Sequence, residues 1–167
     1  MNTKDFSRIL TNKLLTSFDI EKNVDIEGMN FDFRGRYNEK ITRYFAFKEL
    51  TYESFESNEV ILCKSYPEKI TRRDIETLKG FIRKKCSLMA PPKSDHMSTC
   101  LTLILISEFE DGEPDYIKKF RFYRSYAFGF KGWVNCKLIC VDPEKKRVAT
   151  NREGRKELKF IQNILSP

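Results

Sequence analysis

Thr99–Ser107, TCLTLILIS, is the most hydrophobic stretch of this chain and carries no charge. A short apolar run of this kind reads as a strand buried on both faces, which places it at the centre of a sheet. Its longest uninterrupted apolar run, Leu103–Ile106, is far too short to cross a bilayer, which takes about 20 such residues. The rest of the chain must therefore supply the layers that cover this strand.

The flanking patterns do so in a regular order. Asp5–Phe18 carries Phe6, Ile9, Leu10, Leu14 and Phe18 at helical spacing, with Asn2, Thr3 or Asp5 as cap. After a connector with strand character at Asp19–Asp25 and a turn at Gly28, Asn30–Tyr37 alternates. Phe31, Phe33, Gly35 and Tyr37 fall on one face, and Asp32, Arg34 and Arg36 on the other. Tyr44–Leu50 and Glu59–Ser65 read as two further strands. Thr71-Arg-Arg-Asp is a loose capping box for a helix through Ile75, Leu78, Phe81 and Ile82. Beyond the central strand, Asp115–Tyr126 has a helical stripe of Tyr116, Ile117, Phe120 and Tyr123. Trp133–Val141 and Arg147–Thr150 form a hairpin, and Gly154–Leu165 closes as a helix. The expectation is one α+β domain over residues 1–167, in the order α-β-β-β-α-β-α-β-β-α, with a mixed sheet flanked by helices.

The chain has 167 residues and a net charge of +7, which favours anionic partners such as nucleic acid or an acidic protein. Five cysteines, an odd number with no Cys-x-x-Cys, argue for free thiols and so for a cytoplasmic protein. Cys136 and Cys140 share one side of a strand roughly 13 Å apart, too far for one disulfide or one zinc ion. The first residues, MNTKDFSRILTNKLL, are charged and amphipathic, unlike a signal peptide.

Few residues invite catalysis. The order helix, three strands, helix, strand is shared by restriction-endonuclease-like nucleases. Their chemistry needs an Asp and an acid-x-Lys pair around Mg²⁺. Asp32 and Lys48 occupy suggestive places, but Ala46 stands where the second carboxylate belongs. His96, the sole histidine, sits in Asp95-His-Met-Ser, and neighbours in one loop do not reach triad geometry. No phosphate-cradling Gly-rich motif is present. The reading is therefore a protein without catalytic residues or cofactor.

The remaining signal is Tyr116–Val141, with six Lys or Arg and no acid, and eight aromatics between Tyr116 and Trp133. Most of these rings have helical spacing and read as core, as does Trp133. Phe122 is off the stripe and is the ring expected to stand free for stacking. Lys118, Arg121 and Arg124, with Arg152 and Arg155, are the candidate phosphate contacts. Asn151-Arg152 before the last helix reads as an anion-binding entrance.

At SDHMSTCLT, at KKFRFYRSYAFGFKGWVNCKLICVD and at VATNREGRKELKF, the chain resembles a family of uncharacterised archaeal and bacterial proteins, chiefly from methanogens and clostridia. The likeness extends to IEGMNFDFRGRY and YFAFKEL. It implies a stand-alone cytoplasmic domain and no activity. The functional expectation is a non-catalytic domain whose basic, aromatic surface binds an anionic or macromolecular partner. One alternative is a nucleic-acid-binding protein on a degenerate restriction-endonuclease-like fold. The other is a chaperone- or adaptor-like protein–protein module, as a homodimer, since the opening order also looks like secretion-chaperone folds. None of these involves a membrane.

Overall fold

The computed structural model describes residues 1–37, 57–89, 98–111, 114–129 and 133–166. The strand read at Tyr44–Leu50, with Lys48 in it, and the loop bearing His96 lie outside the described residues. Helix α1 (Thr3–Leu14) is capped by Asn2, whose side-chain oxygen accepts the Asp5 N–H at 2.8 Å. β1 (Phe18–Ile26) and β2 (Met29–Tyr37) form a hairpin through Glu27 and Gly28. Both turn residues have positive φ, 47° and 90°, as a two-residue turn matched to the strand twist demands. β3 (Ser57–Ser65) pairs antiparallel with β2.

The capping box at Thr71 closes as its spacing predicts. Thr71 donates its hydroxyl and its backbone N–H to Asp74 at 2.6 and 2.8 Å, opening α2 (Arg72–Met89). α2 runs one turn beyond Lys85, so it buries Cys86 and Met89 and leaves Leu88 exposed. The chain then returns as β4 (Ser98–Ile106), parallel to β3 along its whole length. β6 (Trp133–Asp142) lies parallel to β4 on the other side. One mixed seven-stranded sheet results, in the order β1-β2-β3-β4-β6-β5. β5 (Tyr123–Ser125) and β7 (Arg147–Thr150) share the outer edge of β6. The α+β class and the central place of TCLTLILIS follow the hydrophobic pattern.

Both faces are covered, so β4 is buried on both. Leu101, Leu103 and Leu105 join a core under α2 with Ile75, Leu78 and Ile82. Ile104 and Ile106 join a second core with Phe6 and Leu10 of α1 and Ile161 and Leu165 of α4 (Leu158–Leu165). No helix among the described residues is long and apolar enough to cross a membrane.

Four local expectations fail, each for a definable reason. The helix read over Asp115–Tyr126 stops at Lys118 (α3, Asp115–Lys118), and the chain becomes extended to pair with β6. Its apolar residues fit both periods, and the open edge of β6 decides for period two. The last helix begins with a 3-10 segment, Glu153–Glu157, before α4. β2 does not keep Phe31 and Phe33 on one face: Phe31 packs in the core under α2, Phe33 in the core under α1. The β1–β2 ladder passes over Asn23 and Asp32 with its register unchanged on either side, and Asn23 has a φ of 53°, a local break at which the strand changes face. Finally, Trp133 is not core; it is 37% exposed.

Candidate functional site

Beyond Lys119 the chain leaves the helix, and from Phe120 to Tyr123 buried and exposed residues alternate on the way into β5. Phe120 and Phe122 turn into the core under α2, and Phe122 is only 9% exposed. Phe122 therefore cannot be a free stacking ring. Arg124 follows them to that side: its guanidinium donates to the Arg83 carbonyl of α2 at 2.9 Å and lies over Tyr126 at 5.4 Å. The Tyr126 hydroxyl contacts the Cys86 thiol at 3.2 Å, and burial with that contact pushes its pKa up to about 12. Arg124 is thus a tie between β5 and α2.

The alternate residues face the other way. Arg121 and Tyr123 occupy the opposite side of the same segment, and Tyr123 is 67% exposed. Across the ladder, Tyr123 stands opposite Asn135 and Ser125 opposite Trp133. Tyr123 and Trp133 are therefore diagonal neighbours on one sheet face, a relation that sets residues roughly 7–8 Å apart. Phe128, with a φ of 55° in the 3-10 turn Ala127–Gly129 that follows β5, is fully exposed at 101%. Three rings in this short span are thus open to solvent.

Arg121 carries the charge of this face. It donates to the Lys118 carbonyl at 3.0 Å and the Phe120 carbonyl at 2.8 Å, and lies 3.8 Å from Glu153. That last distance is an ion pair without a hydrogen bond, and Glu153 Oε2 is buried with no donor. The pair brings the 3-10 segment beside the strand, and with it the exposed Arg152 and Arg155. Lys118, Arg121, Arg152 and Arg155 are thus gathered in one region, and Arg124 is not.

Next along the face, Lys137 of β6 reaches Glu59 of β3 at 3.1 Å and Glu157 at 2.7 Å. Thr102 of β4 donates to the same Glu59 oxygen at 3.0 Å. Burial works against the charge of Lys137, but Glu59, Cys100 and Glu157 outweigh it and hold the pKa above the ordinary lysine value. Burial raises the pKa of Cys100, with Lys137 pulling the other way, so Cys100 is a thiol at neutral pH. This network was missed in the sequence, although a signal existed. Trp133, Asn135 and Lys137 alternate with Val134, Cys136 and Leu138, which marks the tryptophan as a member of the polar row.

Asn151 is not an anion-binding entrance. It is 0% exposed, and its side chain fills the gap that β5 and β7 leave along β6. Its oxygen accepts the Leu138 N–H at 3.0 Å and the Gly154 N–H at 3.1 Å. Its NH₂ donates to the Cys136 carbonyl at 2.9 Å and the Phe120 carbonyl at 3.4 Å. One carboxamide substitutes for a missing strand residue and fixes both segments that carry the cations.

Asp32 is occupied as well: its carboxylate accepts the Ser65 N–H at 2.7 Å. Among the described residues no group of three or more His, Cys, Asp or Glu is placed to hold a metal ion. The cysteines are free, and Cys63, Cys86, Cys136 and Cys140 are buried.

The chain belongs to a family described as a domain of unknown function (DUF8052), whose model matches residues 2–163. No curated protein and no solved structure matches it.

Proposed function

We propose that this member of a family without assigned activity is a non-catalytic binding domain for single-stranded nucleic acid. The observation that carries the reading is the pair of rings, Tyr123 and Trp133, standing diagonally on one sheet face beside Arg121. Stacked bases accept such rings regardless of sequence, at about 1–3 kcal/mol per base. Arg152 and Arg155 lie across Glu153 from Arg121 and supply cations for phosphates. Phe128 adds a third ring at the end of β5. Five free thiols are consistent with a reducing, cytoplasmic setting.

Among the described elements, the order helix, three strands, helix, strand supports a related reading, a nucleic-acid-binding chain on a degenerate restriction-endonuclease-like scaffold. In that reading Asp32 is a structural remnant, since its carboxylate is bound to the Ser65 N–H.

The test is fluorescence anisotropy with labelled single-stranded DNA and RNA, and with duplex, at two salt concentrations. Tyr123→Ala and Trp133→Ala should each weaken single-strand binding about tenfold or more. Arg121→Ala should lower the salt slope by roughly one. Phe122→Ala, by contrast, should act only through stability. Single-strand affinity that ignores Tyr123 and Trp133, or no binding at low salt, overturns the proposal and leaves an acidic protein or a second copy of the chain as the partner.

A further inference from the structure

We propose that the cleft between α1 and the end of the sheet is a separate site for a phosphate monoester carrying a hydroxylated body. The cleft has a volume of about 730 Å³, within the range of small-ligand pockets, roughly 300–1,000 Å³. It exists because α1 finds an apolar partner along only part of its length. On β1, Phe18 and Ile20 pack against the core under α1, but Lys22 takes the next place in the row, just before the break at Asn23.

Three cations converge on this space. Lys4 and Arg8 lie one helical turn apart on α1, and Lys22 comes from β1. Neither Lys4 nor Lys22 has an ion-pair partner among the described residues. Among the described residues Arg8 pairs only with Asp5, at 3.6 Å and largely in solvent, a contact that a bound anion easily replaces. Ser7 of α1 also lines the cleft, and its hydroxyl adds a donor. Cations and hydroxyls lining one cleft suit a phosphate, which accepts several charge-assisted hydrogen bonds at once.

One lining group has the opposite charge. Asp32 lines the cleft beside Ser65 and Tyr66. One of its oxygens holds the Ser65 N–H, and the other, with no hydrogen-bond partner among the described residues, can accept a ligand hydroxyl. A carboxylate there repels a second anionic group and selects a neutral, hydroxyl-bearing body. The ligand must therefore be anionic at one end only, as a sugar phosphate or a nucleoside monophosphate is. This site stands on α1, β1, β2 and the end of β3, away from the rings of β5 and β6.

Calorimetric titration with ribose 5-phosphate, inorganic phosphate and ribose tests it. Ribose 5-phosphate should bind, inorganic phosphate at least several-fold more weakly, and ribose not at all. Lys4→Gln and Lys22→Gln change exposed side chains, so the fold should persist, and each should weaken ribose 5-phosphate about tenfold. Asp32→Asn keeps an acceptor for the Ser65 N–H. It should narrow the preference for ribose 5-phosphate over phosphate without lowering phosphate affinity. Arg121→Ala should leave all three titrations unchanged. Absence of ribose 5-phosphate binding at millimolar concentration, or equal binding by wild type and Lys22→Gln, overturns the site.

Discussion

Replacing Asn151 by Ala removes the side chain that completes the outer edge of β6, and the expected loss can be worked from its contacts. Two N–H donors, of Leu138 and Gly154, and two carbonyls, of Cys136 and Phe120, lose their partner in a site closed to solvent. A buried polar group without a partner costs about 1–3 kcal/mol. The contact to Phe120, at 3.4 Å, contributes little, and the space left by a carboxamide admits one water that restores part of the rest. The net loss is therefore about 2–5 kcal/mol, a large share of a typical 5–15 kcal/mol domain stability. Urea denaturation followed by circular dichroism measures it. A loss under about 1 kcal/mol at unchanged m value would refute the reasoning. Asn151→Asp sharpens the test through its sign. An Asp side chain can donate to the Cys136 carbonyl only when protonated, so folding raises its pKa above the unfolded value near 3.9. Its stability relative to wild type is then best below pH 4 and falls as pH rises toward the raised value. A deficit that shrinks with rising pH contradicts this geometry.

Gly154→Ala should also destabilise, by about 1–3 kcal/mol, because an added Cβ would lie 2.1 Å from the Thr150 hydroxyl that binds the Leu138 carbonyl; a urea melt decides it. Lys137→Met leaves Glu59 and Glu157 without their shared cation and should cost about 2 kcal/mol at pH 7. The folded pKa of Lys137 is raised, so its contribution is full below the unfolded value near 10.4 and is lost only as pH climbs through the folded one. Melts at pH 7, 9 and 11 should show the deficit constant between the first two and smaller at the third. Pulse alkylation of the native protein should mark Cys100 before the other four cysteines, which are buried, and a faster Cys63 or Cys140 would contradict the core assignments. Trp133 emission should be that of a partly hydrated indole, quenched by acrylamide and shifted on single-strand binding.

The elements whose residues obey one period were legible before any coordinates. α2 and β4 are of this kind: the first has a capping box and a single apolar stripe, the second an apolar run without a charge. The errors gather where two periods fit one stretch. Phe120 and Tyr123 satisfy helical spacing, while Phe120 and Phe122 satisfy strand spacing. Only the unpaired edge of β6, a tertiary fact, chooses between them. That one choice moved Phe122 inward and Tyr123 outward, and so exchanged the predicted stacking ring for its neighbour. The face change at Asp32 was illegible for a different reason, since it depends on the backbone of Asn23 across the ladder. The cations fared better because Arg152 and Arg155 are exposed in either reading. Their meeting with Arg121 depends on Asn151, whose burial no local pattern announces.

The first and last helices close the same half of the molecule. Phe6, Leu10 and Leu14 share a core with Ile161, Ile164 and Leu165, and between them lie Ile104 and Val141 of the central strands. On the ribosome, α1 emerges first and must wait for the final turns of α4 before this face can be sealed. The core under α2 contains no residue beyond Ala149, so it can assemble earlier. The nascent chain thus passes through a stage with one finished side and one open apolar side. A release that comes before Leu158 leaves the product at that stage, and such fragments should partition to the insoluble fraction even though most of the sheet has been made.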